Sequence, residues 1–147
     1  MEIFTAKDGE VIFKKYSPMG EFTDFAGNMC ETLNRTTGYV SAVADRDSII
    51  AVSGAPGRDL NEKRISSELE RLMEDRQIYQ YQPGGKLMPV TAGDEKYKLV
   101  LAAPIIAEGD VLGGVMFLSD SEQPESGEVE YKLAQTIAGF LGRHLSS

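Results

Sequence analysis

The sequence of 147 residues contains one cysteine, one histidine and no tryptophan, and it has no long apolar run. Because Cys30 is the only cysteine, an internal disulfide bond is impossible, which favours a reducing compartment. No segment has the length and apolar character of a membrane-spanning helix, and no signal-peptide pattern occurs. We therefore expect a cytoplasmic protein without a membrane partner.

Basic residues are also scarce. The 15 Lys and Arg residues stand against 23 Asp and Glu residues, which gives a net charge of −8. Proteins that bind nucleic acid neutralise phosphates with Lys and Arg, so this composition weighs against DNA binding by these residues themselves. The acidic surface is better explained by solubility. With 41% hydrophobic and 26% charged residues, the chain fits one domain with a single core.

No catalytic or metal-binding pattern occurs. His144 has no evident triad or metal partner, and we interpret it as a surface residue at a helix end. Asp45 and Asp47 do not continue into a calcium-loop spacing, so they are interpreted as turn residues. Cys30 lies on an apolar helix face without a cationic neighbour, which favours packing over thiol reactivity. The sequence predicts no enzyme and no metal site, and it identifies no cofactor.

The most apolar stretch is Leu99–Asp120, which reads as two strands joined by a tight turn at Glu108–Asp110. Both strands are too apolar to be half-exposed, so we expect them in the middle of a sheet that is covered on both faces. Gly113 and Gly114 indicate a bulge or a close approach to the backbone, and Pro104 predicts a kink or bulge. We expect pockets beside this irregular part of the sheet.

The pattern of apolar residues predicts the remaining elements. A capping box at Ser67–Glu70 marks the start of one helix, and Asn61 is an alternative start one turn earlier. Pro83–Lys96 is predicted as a long irregular loop, either a binding loop or a mobile one. The predicted elements are a helix at Glu21–Thr37, strands at Tyr39–Ala44 and Ser48–Ser53, a helix at Ile65–Gln77, a strand at Ile78–Gln82 and a helix at Pro124–Leu145.

The loop Gly54–Arg64 combines glycines with three basic residues and precedes a helix. Glycines, cations and a helix N-terminus can together bind an anion, although the standard phosphate-loop and dinucleotide motifs are absent. A solvated loop is the alternative interpretation. The candidate ligand-binding residues are Arg58, Lys63 and Arg64 for an anionic group, and Tyr79 and Tyr81 for stacking.

Two sets of residues carry a family resemblance. Pro104–Ile106 followed by Gly109–Val115 resembles the last strand pair of a GAF domain. A wider set resembles the stage V sporulation protein T family, transcription regulators in which an AbrB-type swapped-hairpin DNA-binding domain precedes a GAF domain. The wider set comprises Glu2–Phe4, Asp8–Ile12, Lys14–Pro18, Asp45–Asp47, Ile50–Gly54, Gly127–Glu130 and Ala138–Leu141.

The resemblance implies an α+β, GAF-like fold with a central antiparallel sheet and helices on both faces. It further implies that 1–18, with a short remnant hairpin, is the end of the AbrB-type domain or a linker, and that 19–147 is the GAF domain. DNA would then be bound only through an upstream domain. Some GAF-like domains reduce methionine sulfoxide, but they need several cysteines around the pocket, whereas this chain has only Cys30.

Two functions remain open for such a domain. It could sense a small molecule and signal to the DNA-binding domain, or it could be a structural oligomerisation module with a vestigial pocket. Both include a homo-oligomer formed through the helices that flank the GAF core, as the resemblance implies and as the broad apolar stripe of the last helix favours. The candidate interface residues are Phe22, Phe25, Met29, Leu133, Ile137, Phe140 and Leu141.

Overall fold

The computed structural model describes residues 18–121 and 124–146, so the predicted hairpin at Glu2–Tyr16 lies outside the described residues. Helices and strands alternate along the chain in an α+β arrangement. In order, the elements are α1 (Pro18–Thr37), β1 (Val40–Asp45), β2 (Ile49–Ser53), α2 (Gly57–Leu60), α3 (Ser67–Glu74), β3 (Tyr79–Gln80), β4 (Pro89–Thr91), β5 (Asp94–Ala107), β6 (Asp110–Ser119) and α4 (Glu128–Ser146).

The strands form one antiparallel sheet in the order β2-β1-β6-β5-β3, and β4 also pairs with β5. The long hairpin of β5 and β6 therefore lies in the middle, as the apolar stretch predicts. Glu108 and Gly109 connect the two strands with φ values of 54° and 87°. Two consecutive positive φ angles are typical of the type I′ turn, whose twist matches that of the flanking strands.

Both faces of this hairpin are covered, which confirms the central prediction. On one face of the sheet α4 covers the hairpin and α1 lies over β1 and β2; on the other face α3 contacts the hairpin and α2 lies beside β2. The helix residues buried against the first face are Phe22, Ala26, Cys30, Leu33, Ala134, Ala138 and Leu141. The residues buried against the second face come from α2, from α3 and from the segment between them, and they are Leu60, Ile65, Leu69 and Met73.

The glycines of β6 allow neighbouring groups to approach the backbone closely, as predicted. A side chain on Gly113 would overlap the carbonyl oxygen of Ala44, and a Cβ on Gly114 would lie 3.0 Å from the Sδ atom of Met73. The prediction of a kink or bulge at Pro104 is wrong in its position. Pro104 pairs in register with Gly114, and the register shifts lie between Leu99 and Leu101 and between Ile105 and Ile106.

Pro104 is tolerated in register because β3 pairs only with Leu101 and Ala102, so the residue lies beyond the end of its neighbour on that side. Proline has no N–H to donate, so a strand tolerates it where no neighbouring strand would accept that hydrogen bond.

Three local predictions need correction. The cap of α3 is Ser66 rather than Ser67, and the alternative start at Asn61 is instead the end of the separate short helix α2. The predicted loop Pro83–Lys96 contains β4 and the start of β5, because Ala92 and Gly93 form a tight turn with a φ of 79° at the glycine. The last helix begins at Glu128, four residues after the predicted Pro124.

Candidate functional site

The three basic candidates for ligand binding are all exposed, and neither of the two grooves described below brings them together. Arg58 lies in α2, and Lys63 and Arg64 lie in the extended segment that leads to α3. In the part of the chain that the structure describes, none of the three forms an ion pair. Arg64 lines a groove at the N-terminus of α3, whereas Arg58 and Lys63 are not among its lining residues.

The two tyrosine candidates lie on the edge strand β3 and just after it. Tyr79 is half-buried against the core beneath α3, and this burial, together with the neighbouring Tyr81, raises the pKa of its phenol. Tyr81 is buried and lines a different groove from Arg64. The five candidate residues are therefore divided among a loop surface, a core position and two grooves.

The α3 groove lies where α3 begins, beside the β4–β5 turn, and has a volume of about 450 Å³. Ser66 is buried at its edge, where its hydroxyl accepts a hydrogen bond from the Leu69 N–H at 3.0 Å and donates one to the Pro89 carbonyl at 2.8 Å. The side chains that give the groove its polarity are Arg64, Ser67, Glu68, Glu70, Thr91 and Asp94.

The α4 groove is larger, about 640 Å³, and lies between the end of β3 and the start of α4. The Gln80 amide closes one side, since its Nε2 donates to the Ser126 hydroxyl at 2.6 Å and to the Gly127 carbonyl at 3.1 Å. The N-terminus of α4 is capped from within the helix, because the Gly127 N–H donates to Glu130 Oε1 at 2.7 Å.

The space between α3 and the sheet is occupied by the protein's own side chains. Leu69 and Met73 are buried there, and the thioether of Met73 fills the room that Gly114 leaves. At the other end of the helix, the Arg76 guanidinium donates to the Gly109 carbonyl at 2.8 Å, which ties α3 to the β5–β6 turn. In this conformation α3 is closed onto the sheet.

A third surface is apolar and lies where Phe25 of α1 meets the C-terminal half of α4. We define the aromatic patch as Phe25, Phe140 and His144. The Phe25 ring is stacked on His144 at 5.4 Å and lies 6.3 Å from Phe140, while 38% of Phe25 and 52% of Phe140 remain exposed. Val129, which is 73% exposed, continues the same flank of α4 towards its N-terminus. His144 is a surface residue, as predicted, but it belongs to this aromatic cluster.

The predicted interface residues fall into two groups. Phe22 and Leu141 are buried in the protein's own core, so they support α1 and α4 from within rather than facing outward. The others are partly or largely exposed along the two helices, and they are Phe25, Met29, Leu133, Ile137 and Phe140.

The described residues offer little for redox or metal chemistry. Burial raises the pKa of the Cys30 thiol to about 12, so the reactive thiolate is suppressed. No group of histidine, cysteine or acidic residues in the described ranges could hold a metal ion. The Asp45 carboxylate instead accepts hydrogen bonds from the Asp47 and Ser48 N–H groups, as expected of a turn residue. No helix within 18–121 or 124–146 is long and apolar enough to cross a membrane.

The family model described as stage V sporulation protein T C-terminal, transcription factor, matches residues 21–146. The chain belongs to this family. It is 40% identical over 145 residues to stage V sporulation protein T of Bacillus subtilis, covering 99% of this chain and 80% of that protein. The resemblance found in the sequence is thereby confirmed, and this chain contains the C-terminal domain of a sporulation transcription factor.

Solved structures similar to this family member confirm the GAF-like fold. The PixJ GAF domain of Thermosynechococcus elongatus gives a TM-score of 0.68 at 15% identity, with 90% of this chain and 89% of that chain covered. The GAF domain of the nutrient sensor CodY from Clostridium difficile, described as cofactor-binding, gives 0.56 at 11% identity, with 86% and 92% covered. A free methionine-R-sulfoxide reductase of Thermoplasma acidophilum gives 0.63 at 12% identity, with 88% and 95% covered.

Proposed function

We propose that this domain is the regulatory part of a sporulation transcription factor in which two copies pair through α1 and α4. A small ligand would bias that pairing and so change how an upstream AbrB-type domain, of which residues 1–18 resemble the end, is presented to DNA. The DNA contacts are assigned to that upstream domain because the net charge of this chain is −8. A protein that acts on DNA in this way works in the cytoplasm.

The aromatic patch carries the proposal. Large aromatic side chains at the surface are unusual in a monomer, and they are enriched at the centres of protein interfaces. Val129, Leu133, Ile137 and Phe140 recur at a spacing that places them in a row along one flank of α4, and Phe25 of α1 contacts the Phe140 end of that row. A second copy related by two-fold symmetry would present the same row and bury both in a four-helix arrangement.

The sensing part of the proposal is supported by the two grooves on the sheet's edges and by the fold. Ligand sites commonly occur in clefts with a few polar groups, and the grooves meet that description. CodY, a sensor with a cofactor-binding GAF domain, has the same fold. A ligand could alter the pairing only if it bound one arrangement of the domain more tightly than another.

Sedimentation velocity of the purified chain tests the pairing. We expect a dimer, and we expect Phe140→Glu to weaken it by about a hundredfold or more, because a buried carboxylate would lie among aromatic rings. Gln135→Glu is the matched control, since it adds the same charge to an exposed position on the opposite flank of α4. A wild-type chain that remains monomeric at high concentration would contradict the proposal.

A structural module without a ligand is the second candidate, and the closed position of α3 favours it. Met73 occupies the room beside Gly114, so the face of the sheet beneath α3 offers no open space at that point. A thermal-shift screen against nucleotides, sugars and amino acids separates the two candidates, because a ligand that is specific for the folded state must raise the melting temperature. If no compound has an effect, the structural module is the better description.

We do not propose an enzymatic role. The reductase that shares the fold shows that the scaffold can carry redox chemistry, but Cys30 is buried, with its thiol pKa raised to about 12. Such a thiol is a poor nucleophile near neutral pH.

A further inference from the structure

The α3 groove contains a buried polar side chain without a partner. Only 4% of Thr91 is exposed, and it lines the groove together with Pro89, whereas Val90 between them packs in the core, so the Thr91 side chain faces the groove. Between residues 18 and 121 and in 124–146, the Thr91 hydroxyl makes no hydrogen bond. Buried hydroxyls nearly always have a partner, because an unpaired one has lost its hydrogen bonds to water. An unpaired hydroxyl that faces an open groove is available to a ligand as a donor or an acceptor.

Two sources of positive potential also lie at the α3 groove: the N-terminus of α3 and Arg64. The first turn of α3 lines the groove, and the N–H groups of Ser67 and Glu68 have no acceptor among the described residues. Free N–H groups and the helix dipole together favour a negative group at this end of a helix. Arg64 lines the groove as well, and its guanidinium forms no ion pair with any described residue.

Three carboxylates line the same groove: Glu68 and Glu70 from the first turn of α3, and Asp94 from the start of β5. Glu68 accepts a hydrogen bond from the Ser67 hydroxyl at 3.3 Å, and Asp94 accepts one from the Lys96 N–H at 2.9 Å. Glu70 makes no side-chain hydrogen bond or ion pair within the described ranges. A phosphate ion would meet three carboxylates against one guanidinium, whereas a simple amine would meet Arg64 and the positive helix end. Neither single charge complements the whole groove.

We propose that the α3 groove binds a small zwitterion, a molecule with one carboxylate and one ammonium group such as an α-amino acid. The carboxylate is held by the Ser67 and Glu68 N–H groups and by Arg64, and it accepts a hydrogen bond from Thr91. The ammonium group is held by Glu70. This inference rests on the proposed regulatory function, for which it names the ligand class and the site.

Isothermal titration calorimetry tests the ligand class on the whole chain. The probes are L-alanine, L-serine, L-leucine and L-glutamate, each with its N-acetyl derivative, which lacks the ammonium group, and its amide, which lacks the carboxylate. Inorganic phosphate represents a plain anion. We expect at least one amino acid to bind and both of its derivatives to bind about tenfold more weakly or worse, because each loses a charge-assisted hydrogen bond.

Three variants locate the site. Arg64→Gln and Glu70→Gln should each raise Kd about tenfold or more, while Arg58→Gln, an exposed charge outside the groove, should leave it unchanged. Thr91→Val should weaken binding and also raise the melting temperature of the ligand-free protein, since it removes an unpaired buried hydroxyl. A hydroxyl with only a structural role would instead lower the melting temperature when it is removed.

The results separate this inference from the proposed pairing. A dimer that binds none of the amino acids, or that binds phosphate as tightly as any of them, overturns the zwitterion site and leaves the pairing intact. Binding that survives both Arg64→Gln and Glu70→Gln also overturns it. A chain that binds an amino acid but sediments as a monomer retains the site and contradicts the pairing.

Discussion

At the scale of single residues, burial decides what the chemistry of a side chain can be. Cys30 is fully buried where α1 meets the sheet, and the apolar surroundings raise the pKa of its thiol from 9.0 to about 12. Its neutral form is therefore favoured in the folded state. The resulting stabilisation is complete below pH 9.0 and is lost progressively as the pH rises towards 12.

The first prediction follows from this shift. Above pH 9.0, the free energy of unfolding of the wild-type chain should fall more steeply than that of Cys30→Val, by up to about 1.4 kcal/mol per pH unit. Urea unfolding at a series of pH values on either side of 9.0 measures both slopes. Parallel pH profiles for the two proteins, or rapid modification of Cys30 by a thiol reagent in the native state, would contradict it.

Two glycines in α4 differ in what surrounds them, and they give the second prediction. A side chain on Gly142 would overlap the carbonyl oxygen of Ile106, whereas nothing lies within 4 Å of a Cβ at Gly139. We expect Gly142→Ala to destabilise the domain by about 2 kcal/mol or more, because α4 must move away from β5. Gly139→Ala should stabilise it by about 0.5–1 kcal/mol through helix propensity. Chemical denaturation compares them, and equal effects would show that the close approach is absent.

At the scale of elements, α3 is a short helix whose position depends on a few contacts. Ser66 joins its start to β4, Met73 packs against Gly114, and Arg76 joins its end to the β5–β6 turn. Eight residues form too short a helix to be stable by propensity alone, so these contacts hold it in place. Because the α3 groove lies at its start, the same contacts also shape the candidate ligand site.

The third prediction concerns the cap of α3. Ser66→Ala should destabilise the domain by about 1–2 kcal/mol, since the Leu69 N–H and the Pro89 carbonyl both lose their partner. Ser67→Ala is the control, because that hydroxyl is exposed and bonds only to the Glu68 carboxylate, and it should change stability by less than about 0.5 kcal/mol. Thermal unfolding measures the stability of both variants. A larger loss of stability for Ser67→Ala than for Ser66→Ala would contradict the assignment of Ser66 as the cap.

At the scale of the whole molecule, the two faces of the sheet differ in what they present to solvent. The face covered by α1 and α4 carries exposed aromatic rings, and the face covered by α3 carries a polar groove. The β5–β6 hairpin lies between them and contacts the helices of both faces. A change in how α3 sits would therefore reach the α1–α4 surface through a single packed layer.

The fourth prediction is a stability that depends on protein concentration. If two copies pair through the aromatic patch, each tenfold rise in concentration should stabilise the folded dimer by about 1.4 kcal/mol, because folding and association are coupled. The melting temperature of the wild-type chain should rise accordingly in scanning calorimetry. For Phe140→Glu it should not depend on concentration, whereas Gln135→Glu should behave like the wild type. A melting temperature that is independent of concentration in all three would contradict pairing.

The amino-acid pattern by itself determined the family and the central hairpin. Leu99–Asp120 is so apolar that it predicts a strand pair covered on both faces. Gly113 within the second strand predicts a close approach of another chain segment to the backbone. These features depend on side-chain polarity at fixed spacing, which the chain carries locally. For the same reason α1, α3 and α4 were predicted with errors of only a few residues at their ends, whereas the short helix α2 lies in a segment that was predicted as a loop.

The tertiary structure alone decided where the surfaces and grooves lie. Arg64 and Thr91 are 27 positions apart, and they line one groove only because β4 brings Thr91 beside the segment before α3. Conversely, Arg58 and Arg64 are close in sequence, but only Arg64 lines the α3 groove. The cap at Ser66 and the in-register position of Pro104 likewise depend on neighbouring elements. Contacts between distant segments arise from packing, and no local pattern of residues specifies them.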